Sequence, residues 1–303
     1  MRDDPPDASV LRQILPLTMA DGARAELRLH RPPDVPRASL LWVPALGVAA
    51  RHYDAFAQAM ATRGIAVGVH EWRGHGSSDR RAGRRCDWGY RELLGDDLPH
   101  SAAALRAVLP DRPLLLGGHS LGGQIACLFA AAGAVAPSGL VLVASGAPYW
   151  RRFRPWVYLA YVAAPLLARL NGRLPGRRIG FGGNEARGVI ADWARSGRTG
   201  RYSAKGHPVD LEAALRGQSA PIAAWVLRDD WLAPASSLQF LLDKMPDASR
   251  AIHAMTPAAL GTAADHFAWM TSPAALVERI AAALPCRTAN AHGATLCPLA
   301  PTE

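Results

Sequence analysis

The stretch PLLLGGHSLGGQ, Pro113 to Gln124, constrains the fold more than any other part of this chain. Its leucines read as a buried strand, and beyond Ser120 the apolar residues of LGGQIACLFAAAG recur at helical spacing. A chain that leaves a strand for a helix within so few residues must turn sharply. Gly118 and Gly122, two positions either side of the serine, let the backbone make that turn. The serine hydroxyl then stands clear of the sheet, as a nucleophile held on a tight turn would.

The flanking sequence repeats the same strand and helix rhythm. ARAELRLH alternates and reads as an early antiparallel strand, whereas ASLLWVPAL, IAVGVHEW and GLVLVAS read as buried strands. HYDAFAQAMATRG has helical spacing and a terminal glycine, and ELLGDDLPHSAAALRAVLP reads as a helix bent near Pro99. The rhythm breaks at Gly146 and resumes with PIAAWVLR, PASSLQFLLDKM, RAIHAM and PAALVERIAAAL. The expected class is α/β, a mostly parallel sheet with helices on both faces. The expected organisation is a core of residues 1–145 and 221–284, an insertion at 146–220 and a loose tail at 285–303.

Charge and cysteine usage narrow the function classes. A net charge of +9 invites a nucleic-acid reading, but Lys205 and Lys244 stand almost alone in an arginine-rich chain, with no lysine/arginine-rich motif, so no nucleic-acid partner is expected. Cys86, Cys127, Cys286 and Cys297 form no CxxC pair, and Cys127 reads as a small core residue; Cys286 and Cys297 would pair only if the chain were exported. The first residues, MRDDPPDASV, carry no signal pattern, so a cytoplasmic protein is expected. PWVYLAYVAAPLLA, interrupted by Pro165, falls short of the ~20 residues that span a bilayer.

A serine hydroxyl needs a base, and the base needs an acid to orient it. In an open α/β sheet these groups gather at the carboxyl ends of strands. PIAAWVLR is followed by Asp229 and Asp230, and RAIHAM is followed, after a loop, by Asp265 and His266. His70 and His253 lie inside strands, His75 precedes the serine, and His119 beside it reads as a packing residue; His266 is the expected base. Serine and base suffice for acyl transfer, so no metal or cofactor is implied.

These residues, with EWRGHGSSD, VASGAPYW, IGFGG, ADWAR and DDWLAP, resemble the serine α/β-hydrolase superfamily over the chain outside the tail. More narrowly, they resemble bacterial hydrolases of serine-aminopeptidase-like or monoacylglycerol-lipase-like type. Glu71 stands where that group carries aspartate in D-x-R-G-x-G-x-S. The resemblance implies an α/β-hydrolase fold with the insertion as its cap. It favours Asp230 over Asp229 as the acid, because Pro234 follows four positions later. It assigns the oxyanion donors to the backbone N–H groups of Leu46 and Leu121, although VPALG places Pro44 and Ala45 where the family writes His-Gly.

The expected activity is hydrolysis of an ester of a medium apolar acyl group by Ser120, His266 and Asp230. Thioesterase, amidase or peptidase, and acyltransferase chemistry would use the same triad. A catalytically silent ligand-binding protein is the alternative of another class. The expected partner is a small acyl substrate. Arg151, Arg152, Arg154, Arg177 and Arg178 are either solvated charge or contacts for a membrane surface or acidic carrier protein. The oligomeric state stays open.

Overall fold

The computed structural model describes residues 10–284, so the expected tail and the two cysteines in it lie outside the described residues. Eight strands form one sheet in the order β1-β2-β4-β3-β5-β6-β9-β10. They are β1 (Leu11–Thr18), β2 (Arg24–Arg31), β3 (Ala38–Val43), β4 (Ile65–Val69), β5 (Leu114–His119), β6 (Gly139–Val143), β9 (Ile222–Leu227) and β10 (Arg250–Met255). A separate ribbon of β7 (Leu174–Pro175) and β8 (Asn184–Glu185) lies between β6 and β9 in the chain. Only β2 runs against its sheet neighbours; from β4 to β10 every pairing is parallel.

The central strands are buried on both faces, and their side chains alternate between two cores. Leu41, Val43, Leu114, Leu116, Leu140 and Leu142 join one core. It is covered by α3 (Leu98–Val108), α4 (Leu121–Ala131), α8 (Leu211–Arg216) and α9 (Ala235–Leu242). Leu40, Trp42, Val67, Val69, Leu115 and Val141 point the other way, onto α1 (Asp54–Thr62) and α11 (Ala274–Ala283). The short helix α10 (Pro257–Leu260) adds Leu260 to that second face.

The bend foreseen near Pro99 has a definite form. Helix α2 (Tyr90–Glu92) runs through a π-helical turn, Leu93–Asp97, into α3. Proline has no N–H to donate four residues back, and the wider turn absorbs the missing bond. Between β6 and β9 the chain forms α5 (Val157–Asn171), α6 (Gly176–Ile179) and α7 (Arg187–Thr199) as well as α8. Helix α5 packs against α7, with Val157, Tyr161 and Ala194 in a small core of their own. No helix among the described residues is long and apolar enough to cross a membrane.

Candidate active site

Ser120 caps α4 with φ 55° and ψ −122°, a conformation that L side chains rarely adopt. Its N–H donates to Val143 O at 3.1 Å, and Ser145 Oγ donates to Ser120 O at 2.7 Å, so the turn is held from β6. The flanking glycines serve a different purpose from the one read in the sequence. Neither Gly118 nor Gly122 has left-handed φ. A Cβ on either would instead collide with the backbone at the end of β3. They allow α4 and β5 to press against the Val43–Pro44 peptide, while the serine itself carries the strained angle.

Asp230 and His266 come together as expected. His266 Nδ1 donates to Asp230 Oδ2 at 2.7 Å, with both residues buried. The other carboxylate oxygen, Asp230 Oδ1, accepts from the N–H groups of Leu232 (2.8 Å) and Ala233 (3.1 Å). Trp269 Nε1 donates to His266 O at 3.2 Å. The neighbouring acids are occupied elsewhere: Asp229 pairs with Arg228 at the surface, and Asp265 accepts from the N–H groups of Phe267 and Ala268. His253 stacks on Trp225, and His70 is bonded to Ser101 Oγ at 2.9 Å.

His119 packs beneath the base, its ring 4.7 Å from that of His266. Tyr53 Oη accepts from Ala45 N–H at 2.9 Å and donates to His119 Nδ1 at 2.9 Å. Burial holds the His119 imidazole well below its usual pKa, and the nearby His266 adds to this, so it is neutral. This link between the β3 loop and the residue before Ser120 has no signature in sequence, because Tyr53 is a lone aromatic on a short helical turn.

The loop after β3, VPALG, is held by two buried aromatic side chains. Pro44 O and Ala45 O both accept from Trp72 Nε1, at 3.1 and 3.0 Å, and Ala45 N–H is taken by Tyr53. Val48 N–H donates to Ala45 O at 3.1 Å and Gly47 has φ 78°, the pattern of a type II turn. Leu46 N–H sits at the corner of this turn with no hydrogen-bond partner among the described residues. Leu121, the first residue of α4, has an N–H that precedes any helical acceptor. Neither donor depends on the side chain that the family usually places here.

Glu71 explains its own substitution. Its Oε1 accepts from Ala50 N–H at 3.0 Å and its Oε2 from Ser77 N–H at 3.1 Å. The carboxylate thus ties the loop after β3 to the loop after β4. On that second loop Arg73 is held by the buried Asp97, with Nη2 and Oδ1 2.5 Å apart. His75 Nε2 lies 3.2 Å from Glu185 Oε2 of β8, joining the same loop to the inserted segment.

Ser120 and His266 open onto a cavity of about 380 Å³ that Leu46 and Leu121 also line. The inserted segment supplies most of the remaining wall, including Phe153, Val157, Leu174, Phe181 and Trp193. Among the described residues no cluster of His, Cys, Asp or Glu is arranged to hold a metal ion.

A single reversed strand, β2, in an otherwise parallel sheet, with a strained serine between β5 and α4 and Asp230 and His266 beyond β9 and β10, defines an α/β-hydrolase fold. Within that class the chain belongs to the serine aminopeptidase (S33) family, whose model matches residues 34–194, more than half of its length. The chain is similar to rat monoglyceride lipase, 31% identical over 132 residues, and to the mouse enzyme, 32% identical over the same length. In both cases the match spans 43% of this chain and 43% of the lipase. Solved structures of low identity share the fold. A soluble variant of monoglyceride lipase from Saccharomyces cerevisiae superposes with a TM-score of 0.62 at 15% identity, covering 92% of this chain and 95% of that one. The thioesterase domain from the curacin biosynthetic pathway gives 0.56 at 18% identity, covering 89% and 99%.

Proposed function

We propose that the protein is a serine hydrolase that cleaves esters of medium apolar acyl groups. The observation that carries this reading is the cavity itself. One largely apolar chamber has Ser120, His266 and two unengaged backbone donors on its wall. Because His266 donates its Nδ1–H in a hydrogen bond to Asp230, its Nε2 is left as the acceptor that a base requires. His266 takes the proton of Ser120 Oγ as that oxygen bonds to the ester carbonyl carbon. Leu46 and Leu121 N–H groups hold the oxyanion. Collapse of the tetrahedral intermediate breaks the ester C–O bond, and the imidazolium returns its proton to the departing alcohol. Water, deprotonated by His266, then attacks the acyl-enzyme and frees the acid.

The inserted segment acts as the cap in this reading and selects for apolar acyl groups. Its outer surface favours delivery of substrate from a lipid surface. Leu159, Val162, Leu166 and Leu170 form one exposed stripe along α5, and Trp156, Ile179, Trp231 and Phe267 are exposed where they rim the cavity. Arg151, Arg154, Arg169, Arg177 and Arg178 are exposed and lie close in sequence to these residues, and their charge would complement an anionic membrane.

Steady-state turnover of p-nitrophenyl esters of graded acyl length, beside the matching thioesters, tests the reading. Maximal kcat/KM on a medium acyl oxygen ester, abolished in Ser120→Ala, is the expected result. A thioester preference at equal acyl length would move the protein to the thioesterases. Turnover that survives Ser120→Ala would remove the assigned nucleophile.

A further inference from the structure

The apolar cavity contains polar groups that the hydrolytic reaction does not use. Gln124 lies on α4 one turn beyond the nucleophile, its N–H approaching Ser120 O at 3.4 Å. It is only 5% exposed, yet it lines the same cavity as Ser120 and His266. Its Oε1 accepts from the buried Tyr202 hydroxyl at 3.1 Å, which fixes the amide plane. The Nε2 group has no hydrogen-bond partner among the described residues. The amide thus keeps unused N–H donors on a residue that lines the chamber.

Tyrosine hydroxyls gather around this corner. Tyr161, 2% exposed, lines the cavity and its hydroxyl has no protein partner among the described residues. Tyr90, behind it, has a fully enclosed and unpartnered hydroxyl. Burial raises the pKa of Tyr90, Tyr161 and Tyr202, and the charge that each of Tyr90 and Tyr161 would carry adds to the effect on its neighbours. All three stay protonated. A buried amide donor beside an apolar space carries a desolvation cost unless a ligand satisfies it.

We infer that the acyl site is built for a chain bearing an acceptor oxygen close to the carbonyl that Ser120 attacks, with Gln124 Nε2 as the group that recognises it. Ser120 caps α4 and Gln124 stands in the first turn of that helix, on the wall of the same cavity, so the recognised oxygen is placed on one of the first carbons beyond the scissile carbonyl. A hydroxyl or keto oxygen at the β carbon fits. A hydrocarbon chain would leave the amide unpaired, and sites that bury a polar group discriminate strongly against substrates that cannot pair it. This inference rests on the ester-hydrolase reading above.

The test compares p-nitrophenyl β-hydroxyoctanoate with p-nitrophenyl octanoate on wild type, Gln124→Met and the double variant Gln124→Met/Tyr202→Phe. The double variant removes both partners of the Gln124–Tyr202 bond, so no buried hydroxyl is orphaned. Wild type is expected to favour the hydroxylated ester by about tenfold in kcat/KM, as one added hydrogen bond allows, and both variants should bring the ratio close to one. A wild-type ratio near one overturns the inference, as does a variant that slows both esters equally, which marks a structural role. In those cases continued turnover of octanoate and fluorophosphonate labelling of Ser120 leave the hydrolase reading standing. If neither ester turns over and Ser120 does not label, both readings fall together.

Discussion

At Ser120 the chain holds an L residue at φ 55°, where glycine would rest without strain. Such a backbone conformation costs on the order of 1–3 kcal/mol and is retained because it presents the hydroxyl. Ser120→Gly should accordingly raise the unfolding free energy by about 1 kcal/mol in urea titration while abolishing turnover; an unchanged or lower stability would contradict the strain. Asp230 is the second residue for which the proposed mechanism makes a sharp prediction. Asn in its place can still accept from Leu232 and Ala233, but it presents an N–H to His266 Nδ1 and forces the wrong tautomer. Asp230→Asn should lower kcat by about 10³–10⁴-fold, whereas Asp229→Asn should have little effect, since Asp229 faces only Arg228. Equal losses in the two variants would place the acid wrongly. Ser120 and His266 could be singled out in sequence because few residue types can do this chemistry and each follows a strand, whereas Asp230 is preferred over Asp229 only through the resemblance. Tyr53, Trp72 and Gln124 could not, because their significance lies in partners distant along the chain.

At the scale of elements, two loops meet at the Glu71 carboxylate, through Ala50, a few residues beyond the proposed oxyanion turn, and Ser77. Glu71→Ala would orphan the Ala50 and Ser77 N–H groups. It should cost about 2–4 kcal/mol of stability and reduce kcat more than it raises KM, because Leu46 N–H loses its fixed position. A large stability loss with unchanged kcat would separate the clamp from the oxyanion turn. His70, hydrogen-bonded to Ser101 of α3, contributes a pH dependence. Burial and the nearby Arg73 charge push the His70 pKa down to about 3 from its ordinary 6.5. Below 6.5 the unfolded chain binds a proton that the folded chain refuses. The contribution of His70 to stability is thus complete above pH 6.5 and declines as the pH falls toward 3, by up to about 1.4 kcal/mol per pH unit. Urea titrations at about pH 7 and about pH 5 should show a smaller difference in His70→Gln than in wild type; equal differences would mean that another group dominates. The buried strands were readable because both faces are apolar. Strand β1 was missed: it is an exposed edge containing Pro16, and little of it is buried. The two-residue strands β7 and β8 are too short for any period to register.

Over the whole molecule, the segment between β6 and β9 walls an apolar chamber over the carboxyl end of β5, with an apolar outer rim. Replacing Leu159, Leu166 and Leu170 with serine should weaken binding to phosphatidylglycerol vesicles at least about tenfold without altering hydrolysis of a soluble short-chain ester. Added salt should weaken the wild-type interaction as well, since the flanking arginines act through screened charge. Equal vesicle binding by the variant would remove the lipid-surface role and leave the chamber intact. The central claim concerns the chamber's floor, where Ser120 must be an activated nucleophile. Intact-mass detection of fluorophosphonate labelling addresses it most directly, with Ser120→Ala and His266→Ala as controls. One adduct on the wild type, absent from Ser120→Ala and strongly reduced in His266→Ala, is expected. A folded wild-type protein that takes no adduct, or an adduct that persists in Ser120→Ala, would contradict the assignment.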